Sequence, residues 1–221
     1  MLKHKIRIKA NNAFTLAETL ITIGIISVVS ALTIPHLVTS YQKYQTAHKL
    51  KQTYAIFNQA LKLSIAENGD PDGWNYTKAA YSADIENYIL PHLKYNQISQ
   101  YPRPKTLAQT DYLYWVPYRT SKIYQLHNGA IFAMMMSVDG IIFVLTVDIN
   151  GLKGPNILGT DIFVFSMNPN ETTTLGTNYS DDHLDNRMGM GCAHLIQQNN
   201  WEIPKAQDYK VNGKHCWYTD K

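Results

Sequence analysis

Polar and apolar positions divide the chain into three regimes. Met1 to Ala13 is polar and basic, with Lys3, Lys5, Arg7 and Lys9 followed by the pair Asn11 and Asn12. From Phe14 to Val38 the only acid or lysine-type base is Glu18. Leu20 to Val38 is nineteen residues, about 28 Å as a helix, close to the roughly 30 Å hydrocarbon layer of a bilayer. Pro35 lacks the N–H that a helix interior needs, so a kink is expected there, of a kind that membrane helices tolerate. Past it, Ala47, Leu50, Tyr54, Phe57, Leu61 and Ile65 recur at spacings of three and four with Lys, Gln and Asn between them. That is the pattern of an amphipathic helix with one face buried. Asn68 to Gly73, reading NGDPDG, ends it.

The rest of the chain reads as strands and loops. Ile85, Tyr88, Ile89 and Leu93 predict a short helix ending near Pro91, and the Tyr- and Pro-rich stretch from Tyr101 to Tyr124 predicts loops or edge strands. Ala130–Ser137 and Ile141–Val147 are apolar runs flanking Asp139-Gly140, a sequence that favours a type I′ hairpin. Both runs are apolar on both faces, which places them at the centre of a sheet, covered by the amphipathic helix on one side and by loops on the other. Asp161 to Met167 predicts a further strand, and Cys192 to Ile196 a short apolar segment. The expectation is an α+β fold divided into a leader (1–13), a long helix (14–68) and a globular domain (69–221).

Composition changes this picture little. The 221 residues suffice for one domain and an appendage. The net charge of +3 is a property of the leader: without its four bases, sixteen basic residues face seventeen acidic ones, a formal charge of −1. The body therefore lacks the electrostatic footprint of a nucleic-acid binder. A basic leader before an apolar span orients its N-terminus to the cytoplasm and exports the remainder of the chain. A conventional export signal is the competing reading, with the small residues Val29-Ser30-Ala31 as a cleavage site and Leu32 as the new N-terminus.

Export makes a disulfide the expected state of the two cysteines, Cys192 and Cys216. The alternative is zinc held by these two with His194 and His215, although the C-x-H and H-C spacings match no usual structural site. Asp148, Asn150 and Asp161 are hard oxygen ligands interspersed with Gly151, Gly154 and Gly159, a set suited either to calcium or to turn formation. Asp181, Asp182, His183 and Asp185 read as a solvated loop. Met134, Met135 and Met136 read as core, since alternate strand residues point to opposite faces. Gly189-Met190-Gly191 has no preceding strand to make it a nucleotide loop. No HExxH, GxSxG or Walker pattern is present, and the chain is expected not to be an enzyme.

The residues Phe14-Thr15-Leu16-Ala17-Glu18, behind a short basic leader and ahead of an apolar run with Pro35, resemble the processing motif of type IV prepilins and pseudopilins. The resemblance implies cleavage by a prepilin peptidase between Ala13 and Phe14, N-methylation of Phe14, and a mature chain of 208 residues. Ala13 stands where that family prefers glycine. It also implies a pilin-like fold, with a long N-terminal helix packed on an antiparallel sheet. Glu18 would pair with the amine of Phe14 on a neighbouring subunit, and Pro35 would mark the helix bend. The stretches Asp148–Asp161 and Cys192-Ala193 with Trp201 are similar to ones found in many pilin-like chains, some of which hold calcium in a late loop. The implied role is a structural subunit, pilin or pseudopilin, of a type IV pilus or a type II secretion pseudopilus. Its partners would be the peptidase, other pilin subunits and the inner-membrane assembly machinery. It would reside in the bacterial inner membrane as a precursor, then in a periplasmic pseudopilus or surface pilus. A tip adhesin or DNA-binding minor pilin, and a soluble secreted protein behind an ordinary signal, are the alternatives.

Overall fold

A computed structural model describes residues 15–79, 81–106, 122–137, 140–171, 174–176, 191–203, 210–211 and 214–215. Its first element is one long helix, α1 (Leu16–Asn68). The residues up to Gln42 form one compact unit, and those from Lys43 onward form a second together with the sheet. Helix α1 continues through Pro35, as one helix from the start of the apolar run to Asn68. Proline removes a single backbone donor there, and the hydroxyl of Thr39 donates to the Pro35 carbonyl (3.0 Å). The helix ends where the sequence requires. Gly69 takes φ +77° and its N–H reaches the Ile65 carbonyl (2.9 Å), a C-terminal cap that favours a residue without Cβ.

The second unit is built on a five-stranded antiparallel meander, β1 (Tyr95–Ile98), β2 (Ile123–Leu126), β3 (Ile131–Met136), β4 (Phe143–Asp148) and β5 (Ile162–Met167), in that spatial order. The long helix and the five-stranded sheet make an α+β layout. Two short helices complete it, α2 (Glu86–Ile89) and α3 (Cys192–Gln198), with a small antiparallel pair, Lys210–Val211 and Lys214–His215. Strands β3 and β4 pair from Ile131 with Asp148 to Met136 with Phe143, and β4 and β5 pair from Phe143 with Met167 to Asp148 with Ile162. The connection between β3 and β4 is longer than the two-residue turn the sequence suggested. It runs from 137 to 142, with the Ser137 N–H donating to the Ile142 carbonyl (2.7 Å). Asp139 lies outside the described residues. Gly140 is held with φ +71° against the Lys78 carbonyl, where a Cβ would sit 2.6 Å from the oxygen.

All eighteen residues of β3, β4 and β5 are buried, and alternation sorts them into two cores. Phe132, Met134, Leu145, Phe163 and Phe165 pack with Leu50, Phe57 and Leu61 of α1. The Phe57 and Phe132 rings meet edge to face at 4.9 Å, a favoured aromatic geometry. On the opposite face Ala133, Met135, Val144, Ile162 and Val164 are covered by Leu158, with Tyr81, Tyr101 and Ile142 packed against them. The three consecutive methionines are thus core residues, Met135 on one face and its neighbours on the other.

Tyr54 and Asn58 of α1 join several later segments. The Tyr54 hydroxyl donates to the Leu175 carbonyl (2.9 Å) and accepts from Gln197 Nε2 of α3 (3.2 Å). Its ring lies 5.4 Å from Phe165 and 4.9 Å from Trp201. Asn58 Oδ1 accepts the Leu175 N–H (3.0 Å).

Candidate functional site

Three places carry the chemistry singled out from the sequence. At the start of α1, Glu18 and Thr15 close a reciprocal cap. Glu18 Oε2 accepts the Thr15 N–H (2.8 Å) and hydroxyl (2.9 Å), while Thr15 Oγ1 accepts the Glu18 N–H (3.2 Å). This is the capping box of a T-x-x-E sequence, which satisfies donors that a helix N-terminus otherwise leaves free. The capping pattern is present in Thr15-Leu16-Ala17-Glu18, the same residues that resemble the prepilin processing motif. Ala13 and Phe14, the residues expected to be cleaved between and methylated, lie outside the described residues.

From Leu20 to Val38 α1 exposes apolar side chains, among them Leu20, Ile21, Ile23, Ile25, Ile26, Val28 and Leu32. By length and composition this helix could cross a membrane, and an N-terminal export signal has the same character. Four of its hydroxyls bond back to the helix itself. Thr19 donates to the Leu16 carbonyl (2.8 Å), Thr22 to Thr19 (2.9 Å), Ser27 to Ile23 (2.7 Å) and Thr33 to Val29 (2.9 Å).

The second place is the loop from Asp148 to Asp161, where the structure brings the three proposed calcium ligands together. Asp148 is fully buried at the end of β4. Its Oδ1 accepts the N–H groups of Asn150 (2.9 Å) and Gly151 (3.0 Å), and its Oδ2 accepts the Tyr101 hydroxyl. Asp161 Oδ1 accepts the Ile157 N–H (2.6 Å), and its Oδ2 accepts the Asn156 N–H (2.8 Å) and Asn150 Nδ2 (3.1 Å). Every carboxylate oxygen of the pair therefore faces N–H or O–H donors. This is the turn-forming use of Asp and Asn. Calcium needs those oxygens free and converging, so the arrangement does not fit a calcium ligand set. Among the described residues no group of three or more His, Cys, Asp or Glu side chains is disposed to hold a metal.

The loop's glycines and asparagines follow from the same geometry. Gly151 (φ +72°) backs onto the Gly129 carbonyl, where a Cβ would lie 2.6 Å from the oxygen. Asn156 (φ 53°) and Gly159 (φ 81°) also take left-handed backbone, which these residue types accept most readily. Burial pushes the Asp148 carboxyl up to about 7, opposed by the Tyr101 hydroxyl and reinforced by the Asp161 charge. Burial likewise raises Asp161, against the pull of its backbone donors.

The third place is α3. Cys192 is buried at its first residue and is disulfide-bonded. Cys216 lies outside the described residues, as do Asp181, Asp182, His183 and Asp185. Zinc is not compatible with Cys192 in this state, since a thiolate ligand needs its sulfur free of the disulfide.

One buried acid escaped the sequence reading. Glu86 of α2 is 1% exposed and pairs with Lys122 Nζ. Burial raises the neighbouring Tyr124 phenol, and the Glu86 charge raises it further. A single acid in a polar stretch carries no sequence signal of burial.

The model of a family described as "Family of unknown function (DUF6613)" matches residues 36–184, about two thirds of the chain, and the chain belongs to that family. The match begins at the last residues of the apolar run and includes the sheet and the Asp148–Asp161 loop. No curated protein and no solved structure matches the chain.

Proposed function

We propose that this member of DUF6613 is a pilin-like structural subunit, inserted in the inner membrane as a precursor, cut before Phe14 and assembled through α1 into a type IV pilus or secretion pseudopilus. The observation that carries the reading is the coincidence of two features in one segment. Thr15 to Glu18 of the motif open a helix that exposes apolar side chains from Leu20 to Val38. Exposed Leu, Ile and Val at this density are costly in water and call for lipid or other helices as their surroundings. The second half of α1 supports the reading by burying Leu50, Phe57 and Leu61 against an antiparallel sheet. In such a filament the activity is polymerisation. Glu18 would offer its charge to the Phe14 amine of a neighbour, and the domain from Lys43 onward would form the exposed surface.

N-terminal sequencing of the protein recovered from cells tests the proposal. Phe14 as the first residue, methylated on its amine, supports it. Leu32 as the first residue replaces it with a soluble protein released from an ordinary signal.

A further inference from the structure

A groove of about 340 Å³ opens between α1 and the β1–β2 end of the sheet. It lies within the unit formed by residues 43–221, and its chemistry is independent of the filament reading. Ile56, Ala60 and Leu63 of α1 form one wall, and Leu93 and Leu126 face them. Leu63 is left 46% exposed on the lip, so apolar surface that could be covered is open to solvent.

Among the described residues Lys94 is the only Lys, Arg, Asp or Glu that lines this groove. His127 donates its N–H to the Lys94 carbonyl (3.3 Å), which sets the two residues side by side on adjoining chain segments, and both line the groove. His92 lines it too, but its Nε2 faces Glu67 Oε2 at 3.5 Å. Among the described residues neither Lys94 nor His127 has an acidic partner, and no acid lines the groove. The remaining polar lining, Gln59 and Asn128, is neutral.

We propose that this groove binds a small apolar carboxylate, an acid with a short aliphatic tail such as octanoate. The tail would cover Leu63 and lie against Ile56, Leu93 and Leu126, and the carboxylate would meet Lys94 and His127. A volume near the lower end of the range for small-ligand sites limits the occupant to a single short chain. A phosphate would call for an arginine fork or a nest of free backbone N–H groups. The groove has no arginine among its lining residues, and one ammonium beside one imidazole matches a single carboxylate charge.

The test uses the full chain in lipid nanodiscs, with octanoate observed by saturation-transfer difference NMR and empty nanodiscs as the blank. Saturable octanoate binding is expected, with octanol at least about fivefold weaker because it lacks the charge. Lys94→Glu is expected to weaken octanoate about tenfold and to turn the preference toward octylammonium. Leu63→Glu, at an exposed position, places a like charge on the lip and is the second variant, with an unchanged melting temperature as the check on folding. Any of three results overturns the proposal: no saturable octanoate signal beyond empty nanodiscs, equal affinity for octanol and octanoate, or octanoate binding unaltered in both variants.

Discussion

Thr15 and Glu18 cap one another: the carboxylate takes both the N–H and the hydroxyl of the threonine, and the threonine hydroxyl takes the N–H of the glutamate. Glu18 thus holds the end of its own helix whatever else it does. The two roles separate by substitution. Glu18→Gln keeps an oxygen for the cap but removes the charge, since glutamine also serves at this position. Thr15→Ala keeps the charge and loses the cap, weakening the helix start by roughly 1 kcal/mol. On the proposed function, Glu18→Gln enters the membrane and is cleaved normally but is lost from filaments, whereas Thr15→Ala is incorporated at reduced level. Immunoblots of sheared filaments against membrane fractions check this. Normal incorporation of Glu18→Gln would rule out a pairing role for the charge.

Tyr54 is the point where α1 holds later parts of the chain. Tyr54→Phe keeps the ring against Phe165 and Trp201 but leaves the Leu175 carbonyl and Gln197 Nε2 without their shared partner. The expected loss is about 1–2 kcal/mol, read as a fall of several degrees in melting temperature. A change within error would mean that water replaces the hydroxyl without loss.

Two glycines with nearly the same backbone angle are expected to respond differently to alanine. Gly69 (φ +77°) has no atom within 4 Å of an added Cβ, whereas at Gly151 (φ +72°) the Cβ would lie 2.6 Å from the Gly129 carbonyl oxygen. Gly69→Ala should lose only the backbone preference, roughly 1 kcal/mol. Gly151→Ala adds a clash between the β2–β3 turn and the loop, and should lose roughly 2–4 kcal/mol. Denaturant titrations of both variants give the comparison. Equal losses would show that the loop moves aside.

The buried pair Asp148 and Asp161 gives stability a pH dependence of defined sign. Asp148 titrates near 7 when folded and near 4 when unfolded. The folded chain therefore binds the proton more tightly. Its contribution is fully present below about pH 4 and is lost as pH rises through 7. Melts should show lower stability at pH 8 than at pH 5, by an amount on the order of 1–3 kcal/mol from this group. Asp148→Asn, which still accepts the Asn150 and Gly151 N–H groups, should flatten that slope. An unchanged slope in the variant would assign the effect to other groups.

Because all four oxygens of the pair are engaged by donors, millimolar calcium is expected to leave the melting temperature unchanged. A calcium-dependent rise, absent with magnesium, would show that the loop rearranges into a ligand set.

How far the sequence could be read depended on whether a residue's surroundings leave a pattern. Strands β3, β4 and β5 were legible because burial on both faces produces unbroken apolar runs, as in Ile131 to Met136. Strand β1 was not, because Tyr95-Asn96-Gln97-Ile98 sits at the sheet edge with Asn96 and Gln97 exposed, and an edge strand needs no apolar alternation. The loop residues Asp148, Asn150 and Asp161 stand out together in the sequence and lie together in the structure, yet the sequence left their use open between calcium and a turn. A cation and a tight turn ask for the same oxygen-bearing side chains, and only the direction of each oxygen separates them. Glu86 was invisible for the opposite reason, since its burial depends on Lys122, which lies thirty-six residues away.

The hydroxyls of Thr19, Thr22, Ser27, Thr33 and Thr39 are each closed onto a carbonyl of their own helix. Closed in this way, these five hydroxyls offer no free donor to acyl chains or to a packed neighbour. Moving these hydroxyls from one medium to the other would break none of their hydrogen bonds. On the proposed function the segment is, in that sense, equipped for transfer.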